Sequence, residues 1–519
     1  MRYLKKVIGK PEAWFLLYLA LWFTVNLLTL TWFPGWDLNQ DEALHASCAM
    51  GIWKYGAVRS DMLPGSYLGQ YGYGMLSGWV YYGILAVFLK IFGANIFWGR
   101  MVSLLSGATV LVCTYLLGRE FRNPWAGLWA AVFTGFEILF LRTSHYTRTD
   151  AMLAAWVSVT VLLFIVALRR KDWRLLLVVG FVSGISLLVR PLGAFIFPGL
   201  VIVLAFMKKW RELGWLALGA TTAGVLMIFT NYLPFMGQPL LLDIDKANQN
   251  SPLFLILAGK PLLVPITIER NAAALLAMFF GPESILGRFI VIKIAALGAV
   301  VGAILRSREY PLLYGITAAL LAGALLTWPF VRGGYLALFV PFLALGFLLP
   351  FHTVRWARYP FVLAGLAIGL AGAAKSIHEC KMNRPIARLQ ARALQIVPPG
   401  KSVMVNWFWF WWCFRERNPL VAMVDEDFTW EGLAFSDLTK RYGPDYIIIV
   451  FWKDFLMWPR QMNKGDSLFL SGLPQVEKFY FRGENKWRGY DSLIIYDATV
   501  AKKEGRVGLI GNTEYGRHE

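Results

Sequence analysis

Residues 74–93 read GMLSGWVYYGILAVFLKIFG, and the placement of this apolar stretch decides the topology of the whole chain. Twenty residues are enough for a helix that crosses a bilayer, but the same stretch could lie along the membrane interface. The two placements put every later loop on opposite sides of the membrane.

Short basic clusters decide between the two placements. If the stretch lies flat, all the clusters face the cytoplasm together with the N-terminus, as the positive-inside rule requires. If it crosses, every cluster moves outside. The clusters are Arg119/Arg122, Arg169/Arg170/Lys171/Arg174, Lys208/Lys209/Arg211, Arg306/Arg308 and Arg355/Arg358. The rule therefore favours an interfacial stretch, with the N-terminus inside and the C-terminus outside.

We predict an all-α polytopic membrane domain over residues 1–375, with about eleven transmembrane helices plus interfacial juxtamembrane helices and a first outer loop over residues 34–96. The chain has 519 residues, 57% apolar and 16% charged, which excludes an ordinary soluble protein. Its net charge of +19 is explained by the clusters between spans, so we expect no nucleic-acid partner. The predicted spans lie near 12–33, 97–118, 124–141, 150–168, 174–189, 193–207, 213–231, 288–305, 311–328, 335–351 and 360–375.

Residues 376–519 are mixed and charged, and they predict an extracytoplasmic α/β domain. Strand-like runs cover Ser402–Val405, Tyr446–Phe451 and Leu493–Tyr496, each beside turn signals. The aromatic run Trp407–Trp412 fits either a sugar-stacking or membrane-dipping surface or a buried strand.

The four cysteines show no metal-ligand spacing. If the C-terminal domain is outside the cytoplasm, Cys380 and Cys413 are a possible disulfide, whose formation the sequence leaves open.

An acidic stretch, Trp36–His45, follows directly on the first span. Asn39 is a good N-cap and Glu42 stands three residues later, which predicts a helix that starts here. Asp41 would lie in its first turn, where the helix dipole keeps a carboxylate ionised, and His45 one turn further on. The alternative is that Asp41 and Glu42 only cap an interfacial helix.

Other charged residues stand where later spans reach the outer surface. Asp150 begins one span and could act as a general base towards an acceptor hydroxyl, or it could cap the helix with Thr149. Arg190 and Arg332 stand at outer span ends, where a guanidinium matches phosphate oxygens. The alternative for each arginine is simple extension towards lipid headgroups.

The sequence has no Walker loop, no dinucleotide-binding fingerprint after a strand, no HExxH and no CxxC. A cytoplasmic nucleotide-sugar or ATP site therefore has no support. No cofactor is predicted, and a divalent metal is possible but not indicated.

Four features together resemble the GT-C superfamily of membrane glycosyltransferases, specifically the protein O-mannosyltransferase and lipid A aminoarabinose transferase group. They are Asp41–Ala46, Phe92–Arg100, Asp150 in the second outer loop, and the run Arg332…Tyr335…Pro341. The resemblance covers residues 1–375.

The resemblance implies an enzyme that takes a sugar from a polyprenyl-phosphate donor on the outer face of the cytoplasmic membrane and inverts it at the anomeric carbon. It implies a lipid, glycan or protein hydroxyl as acceptor and membrane lipids as surroundings. The implied catalytic group is Asp41, Glu42 and Asp150; the implied donor-phosphate group is Arg332, Arg190 and Tyr335; and the possible further contacts are His45, Arg148 and Asp37.

Two departures from the motifs of related transferases narrow the choice of acceptor. Leu68–Tyr73 replaces the acidic-basic-proline element of the aminoarabinose transferases, and the WWDYG motif of oligosaccharyltransferases is absent. Neither the sugar nor the acceptor is identified by the sequence. One competing function is a flippase or transporter of lipid-linked sugars, which predicts charges at the membrane midplane or broken helices in paired halves. The other is a structural subunit of an envelope assembly.

Overall fold

The computed structural model describes residues 10–31, 40–58, 60, 78–232, 251–257, 259–280, 290–328, 333–352, 384–405, 414, 418, 421–423, 443–452, 473–480, 490–499 and 503. The chain forms two compact units. The first unit comprises residues 1–31, 74–84 and 100–376, and the second comprises residues 32–73, 85–99 and 377–519. The division into a 1–375 membrane domain and a 376–519 outer domain stays a prediction.

Helices dominate the described part of the chain. In chain order the α-helices are α1 (Pro11–Thr29), α2 (Gln40–Tyr55), α3 (Trp79–Phe92), α4 (Ile96–Glu120), α5 (Pro124–Phe136), α6 (Ile138–Thr143), α7 (Thr149–Arg170), α8 (Trp173–Val189), α9 (Ile196–Phe206), α10 (Trp210–Met227), α11 (Pro252–Leu257), α12 (Val264–Phe280), α13 (Ile290–Arg306), α14 (Pro311–Thr327), α15 (Val340–His352) and α16 (Arg384–Ile396). Short 3₁₀ segments cover Pro191–Phe195, Pro261–Leu263 and Gly333–Leu338, and a π turn covers Ile228–Tyr232.

The protein is an integral membrane protein. Five helical stretches in the described part of the chain are long and apolar enough to cross a bilayer: Pro11–Thr29, Ile96–Glu120, Thr149–Arg170, Trp210–Thr230 and Pro261–Met278. Each predicted span up to 335–351 contains a helix. The last predicted span, 360–375, lies outside the described residues, and the count of about eleven stays a prediction.

One long apolar helix falls between the predicted spans 213–231 and 288–305, where the sequence predicts an outer loop, residues 232–282, with an interfacial run over residues 272–280. The run 261–278 has the length and composition of a span. Glu269 and Arg270, however, stand exposed in the middle of α12. Because charges at the bilayer centre are costly, this helix suits the interface better than the hydrocarbon core.

The stretch that decides the topology contains α3. Its 14 residues correspond to about 21 Å at 1.5 Å per residue, less than the roughly 30 Å of a hydrocarbon core. Gly78 and Gly93, with φ of 82° and 97°, stand on either side of the helix, in a conformation that other residues adopt only with strain. This length is compatible with the interfacial placement, which stays a prediction.

Small residues bring the helices of the first unit close together. A Cβ added at Gly180 on α8 would lie 2.0 Å from the carbonyl oxygen of Leu216 on α10. On α14, a Cβ at Gly323 would lie 2.5 Å from the Phe195 oxygen, just before α9. These contacts are the close backbone approaches by which helices associate in membranes.

The predicted span 124–141 is interrupted, which the sequence did not indicate. Helix α5 ends at Phe136 and α6 begins at Ile138. Between them, the buried Glu137 accepts a hydrogen bond from the Phe140 amide at 2.7 Å and so caps α6. A side-chain acceptor that satisfies the first N–H groups of a new helix stabilises the break.

The second unit contains a five-stranded mixed sheet in the order β2-β1-β3-β5-β4. Parallel pairs join β1 to β2 and to β3, and antiparallel pairs join β5 to β3 and to β4. The strands are β1 (Val403–Val405), β2 (Val421–Met423), β3 (Tyr446–Trp452), β4 (Gln475–Tyr480) and β5 (Tyr490–Asp497). The sequence predicted β1, β3 and β5 but missed β2 and β4. The run Trp407–Trp412 and both Cys380 and Cys413 lie outside the described residues.

Candidate active site

The segment between α6 and α7 is polar yet buried. Its residues Ser144, His145 and Thr147 have no exposed surface, although the sequence places them in an outer loop. The Ser144 amide donates to the Phe140 oxygen and the His145 amide to the Arg142 oxygen, so the chain continues the last turn of α6. The loop is therefore a packed part of the first unit, and it fixes the start of α7.

Asp150 lies in the first turn of α7 and binds two arginines. Its carboxylate lies 3.0 Å from Nε of Arg148, and its other oxygen accepts a hydrogen bond from Nη1 of Arg190. The N-cap of α7 is Arg148, without a side-chain cap bond. Asp150 therefore stabilises α7 through the helix dipole and the two ion pairs, rather than as the cap that was the alternative from sequence.

Arg190 owes its position to the end of α8. It has an extended backbone, with φ −164° and ψ 142°, and Pro191 follows it. A residue before proline disfavours the helical region, so α8 must end at this point. The Arg190 side chain is only 17% exposed and contacts the protein, which contradicts the alternative that it merely extends towards lipid headgroups.

Tyr335 completes this cluster. The guanidinium carbon of Arg190 lies 5.1 Å from the centre of the Tyr335 ring, within the range of a cation–π interaction. Tyr335 belongs to the 3₁₀ segment Gly333–Leu338 and is buried. Three residues that the sequence places in three separate outer segments, Asp150, Arg190 and Tyr335, are thus brought together by the fold.

Aromatic side chains pack against Tyr335. The buried Trp328 ring lies 5.3 Å from Tyr335 and 5.5 Å from Phe195. Its Nε1 donates to the Leu192 oxygen at 2.9 Å, and its own oxygen accepts from Nδ2 of Asn271 at 2.8 Å. The sequence gave no indication of these contacts of Trp328 and Asn271.

A second arginine is completely buried near the outer loop. Arg100, within the motif Phe92–Arg100, donates from Nη1 to the Leu30 oxygen at 2.9 Å, and its guanidinium lies 5.9 Å from the Tyr146 ring. It thereby joins the end of α1 to the loop before α7. The sequence motif pointed to this position without revealing its contacts.

His145 is held in the neutral form. Burial lowers its pKa to about 4, and the positive charge of Arg100 lowers it further, against a hydrogen bond to the Leu141 oxygen that favours the cation. Its Nδ1 lies 2.7 Å from that oxygen, which makes Nδ1–H the donor. His145 is a packed structural residue, as expected for a histidine that the sequence gave no role.

The predicted residues of the first outer loop lie in the second unit. Helix α2 begins at Gln40, which confirms the helix start expected after Asn39, so the backbone of Asp41 stands in its first turn. Glu42 is buried and His45 is half-buried. The side chain of Asp41, together with Asp37, Leu68–Tyr73 and Arg332, lies outside the described residues, and the catalytic roles of all predicted site residues stay predictions.

The cluster in the first unit suits an anion. Arg148, Arg190 and Asp150 carry two positive charges and one negative charge, a sum of +1. Both guanidinium groups are held in place, so little conformational entropy is lost when they bind a phosphate. Within the described residues, no three His, Cys, Asp or Glu side chains are grouped to hold a metal ion.

Known proteins match this chain in sequence and fold. The family model described as dolichyl-phosphate-mannose-protein mannosyltransferase matches residues 78–236. An undecaprenyl phosphate-alpha-4-amino-4-deoxy-L-arabinose arabinosyl transferase of Pseudomonas paraeruginosa is 26% identical over 242 residues, 44% of this chain and 40% of that protein. The enzyme of the same name from Pseudomonas aeruginosa is 29% identical over 142 residues, which is 25% of each chain. The matched parts thus span less than half the length of these relatives.

Among solved structures, ArnT from Cupriavidus metallidurans in the apo state matches with a TM-score of 0.55 and 15% identity, covering 93% of this chain and 98% of that chain. The same enzyme bound to undecaprenyl phosphate matches with a TM-score of 0.53 and 16% identity, covering 94% and 99%. The chain therefore has the GT-C fold of membrane glycosyltransferases. Together with the sequence matches, this confirms the resemblance to glycosyltransferases that use polyprenyl-phosphate sugars.

Proposed function

We propose that this protein moves a sugar from a polyprenyl-phosphate donor to a hydroxyl acceptor on the outer face of the membrane, with inversion at the anomeric carbon. The observation that carries the proposal is the Arg190 guanidinium, which Asp150 and Tyr335 hold at the end of α8. The fold of ArnT, including its form bound to undecaprenyl phosphate, supports a lipid-phosphate donor.

The reaction is a single displacement. The acceptor oxygen attacks the anomeric carbon from the face opposite the phosphate, and the bond from that carbon to the phosphate oxygen breaks. Asp41 takes the proton of the acceptor hydroxyl, and polyprenyl phosphate leaves. A positioned base of this kind contributes about 10²–10⁴-fold to the rate.

The arginines stabilise the leaving group. Negative charge grows on the phosphate as the bond breaks, and fixed cations aimed at that charge lower the barrier. Arg190 and Arg332 supply this stabilisation in the proposed complex, with Tyr335 beside them. Asp150 acts on the donor through Arg190, because its carboxylate restrains the guanidinium. Glu42 directly follows Asp41 in the sequence, and we place both carboxylates in the catalytic group.

The proposed donor class is supported by the relatives, whose names specify an undecaprenyl phosphate-linked aminoarabinose. The sugar and the acceptor of this chain are left open by the proposal. Residues Leu68–Tyr73, which replace the acidic-basic-proline element, argue against lipid A as the acceptor. We also propose that the N-terminus faces the cytoplasm and that the site and the C-terminal domain face outwards.

The test uses the purified full-length protein in liposomes with a labelled undecaprenyl-phosphate sugar and a membrane extract from cells that lack the protein. We expect transfer of the label into a hydroxyl-bearing acceptor and release of undecaprenyl phosphate. Asp41→Asn should lose about 10²–10⁴-fold in turnover and retain donor binding. Glu120→Gln, at the half-buried last residue of α4, is the control.

Arg190→Gln and Arg332→Ala should instead weaken donor binding, and Arg190→Lys should restore only part of it, because a lysine lacks the planar fork. Mass analysis of envelope glycans with and without the protein identifies the product. Unchanged glycans, together with full turnover in Asp41→Asn, would overturn the proposed activity.

A further inference from the structure

An apolar groove lies between α9 and α14, at the opposite end of α9 from Arg190. It encloses about 420 Å³. Its walls include Ile202, Phe206 and Met207 from one side, and Pro311, Gly315 and Ala322 from the other. Apart from backbone atoms, the lining is hydrocarbon and the thioether of Met207, so the groove suits an alkyl chain rather than a sugar.

Small residues on α14 leave the space that forms the groove. Gly315, Ala318 and Ala322 follow one another along one face of α14, at spacings of three and four residues. The two helices touch nearer to Arg190, where a Cβ on Gly199 would lie 3.1 Å from the Ala319 oxygen. Phe206 and Pro311, towards the other end of the two helices, line the groove and are exposed, so the groove opens at this end.

Basic residues adjoin, in the sequence, the residues that line the open end of the groove. In the chain, Met207 is followed by Lys208, Lys209 and Arg211, and Pro311 is preceded by Arg306 and Arg308. With the acids Glu212 and Glu309, one of which pairs with Arg306, the sum is 5 − 2 = +3. These are two of the clusters that the positive-inside rule assigns to the cytoplasmic surface, where the leaflet lipids are partly anionic.

We propose that this groove is a binding site for an anionic phospholipid of the cytoplasmic leaflet. One acyl chain lies against Gly315 and Ala318, and the headgroup phosphate binds the basic residues beside Met207 and Pro311. Basic pockets between transmembrane helices on the cytoplasmic side bind anionic lipid headgroups by the same combination of charge and apolar surface.

The donor lipid is a poorer occupant of the groove. Helix α9 has 11 residues, or about 16 Å at 1.5 Å per residue, and it separates the groove opening from the Arg190 side. A donor phosphate at Arg190 cannot at the same time meet the basic residues beside Met207. The groove is therefore a second lipid site, and its occupancy is measured by binding alone, without reference to transfer.

Gly315 offers a direct test, because a Cβ there meets no atom within 4 Å. Gly315→Leu should fill the groove without disturbing the helices. Gly224→Leu on α10 is the matched control, since a Cβ at Gly224 also meets no atom within 4 Å and lies outside the groove lining. Delipidated full-length protein in detergent is titrated with phosphatidylglycerol or phosphatidylcholine, and bound lipid is counted by native mass spectrometry.

We expect the wild-type protein and Gly224→Leu to bind one phosphatidylglycerol at least tenfold more tightly than phosphatidylcholine. Gly315→Leu should lose at least tenfold in phosphatidylglycerol affinity, and Lys208→Ala with Arg308→Ala should abolish the preference for the anionic lipid. Equal binding of the two lipids, or unchanged affinity in Gly315→Leu, would refute the site. Displacement of phosphatidylglycerol by undecaprenyl phosphate in a one-to-one ratio would assign the groove to the donor tail instead.

Discussion

The ion pair between Asp150 and Arg190 gives the most direct quantitative test of how the candidate site is built. Both side chains are largely buried, with 8% and 17% of their surface exposed. Arg148 adds a second cation, 3.0 Å from the same carboxylate. The perturbation is Asp150→Asn, which keeps the size of the side chain but leaves two guanidinium groups beside a neutral amide.

The magnitude follows from this burial. Removing one partner of a buried ion pair costs about 3–5 kcal/mol, whereas an exposed pair contributes about 0.2–1 kcal/mol. Because Asp150 is nearly inaccessible and Arg190 is not fully so, we expect Asp150→Asn to lower the free energy of unfolding by about 3 kcal/mol. Arg148 continues to interact with the carboxylate after Arg190→Gln, so the coupling energy of the pair should be about 2 kcal/mol.

The assay is a double-mutant cycle of Asp150→Asn and Arg190→Gln, with unfolding in detergent solution followed by far-ultraviolet circular dichroism. The matched control is the cycle of Glu120→Gln and Arg169→Gln. This second pair has a 3.3 Å contact but side chains that are 27% and 38% exposed. Its coupling energy should stay below about 1 kcal/mol.

The comparison of the two coupling energies decides whether Asp150 restrains Arg190. If the coupling of Asp150 with Arg190 is no larger than that of Glu120 with Arg169, Asp150 does not restrain Arg190 as the geometry implies. In that case its part in positioning the donor phosphate also fails. Donor affinity, measured on the same variants, should fall in both Asp150→Asn and Arg190→Gln.

Three further predictions use other parts of the molecule. Trp328→Phe removes the hydrogen bond to the Leu192 oxygen and should cost about 1–2 kcal/mol of unfolding free energy and weaken donor binding; an unchanged donor affinity would separate Trp328 from the site. His145 has a pKa of about 4 in the folded protein, against an ordinary value of 6.5. Between these two pH values the unfolded chain binds more protons than the folded protein, so the free energy of unfolding should fall by about 2 kcal/mol from pH 7 to pH 5. His145→Gln should remove that part of the pH dependence, and an unaltered slope would contradict it. The membrane topology is tested with Lys260→Cys and Lys171→Cys in a background without Cys380 and Cys413. The cysteine at position 260 should react with an impermeant maleimide in intact cells, and the one at position 171 only after permeabilisation. The reverse pattern would invert the predicted topology.

The membrane helices could be predicted because their signal is local. A run of about 17–20 apolar residues with basic residues at one end is visible without any knowledge of its neighbours. The interruption at Glu137 was missed for a related reason. A single acid in an apolar run does not show whether it faces outwards or, as here, turns back to cap the helix that follows. Strand β4 was missed because Glu477 and Lys478 interrupt its apolar pattern. Strand β2 was missed although it has the same length as β1, which was predicted.

The candidate site was only partly predictable. Helices α7 and α8 are consecutive and antiparallel, so the start of one and the end of the other must meet at the same surface. The sequence therefore indicated that Asp150 and Arg190 share a side of the membrane. It did not reveal that they bind each other, or that Trp328 supports Tyr335 against Arg190, because such contacts depend on how three separate segments pack.

Three turns that the sequence predicts to be cytoplasmic show how topology and local backbone geometry compete for the same positions. In the described part of the chain, the residues other than glycine with positive φ are Arg122, Lys171 and Lys208, at 60°, 54° and 54°. All three stand just after a helix, where glycine normally takes the left-handed conformation, and a side chain there costs roughly 1–2 kcal/mol. A basic side chain at this position interacts favourably with the negative end of the helix dipole, and under the positive-inside rule it also favours the predicted cytoplasmic placement of the turn. Glycine would relieve the strain but lose both interactions, so the charge requirement outweighs the backbone preference at these turns. The predicted outer end of α8 shows the opposite solution, since Pro191 and a 3₁₀ segment follow the helix there. Arg190, at this end, contacts Tyr335 in the 3₁₀ segment that precedes α15.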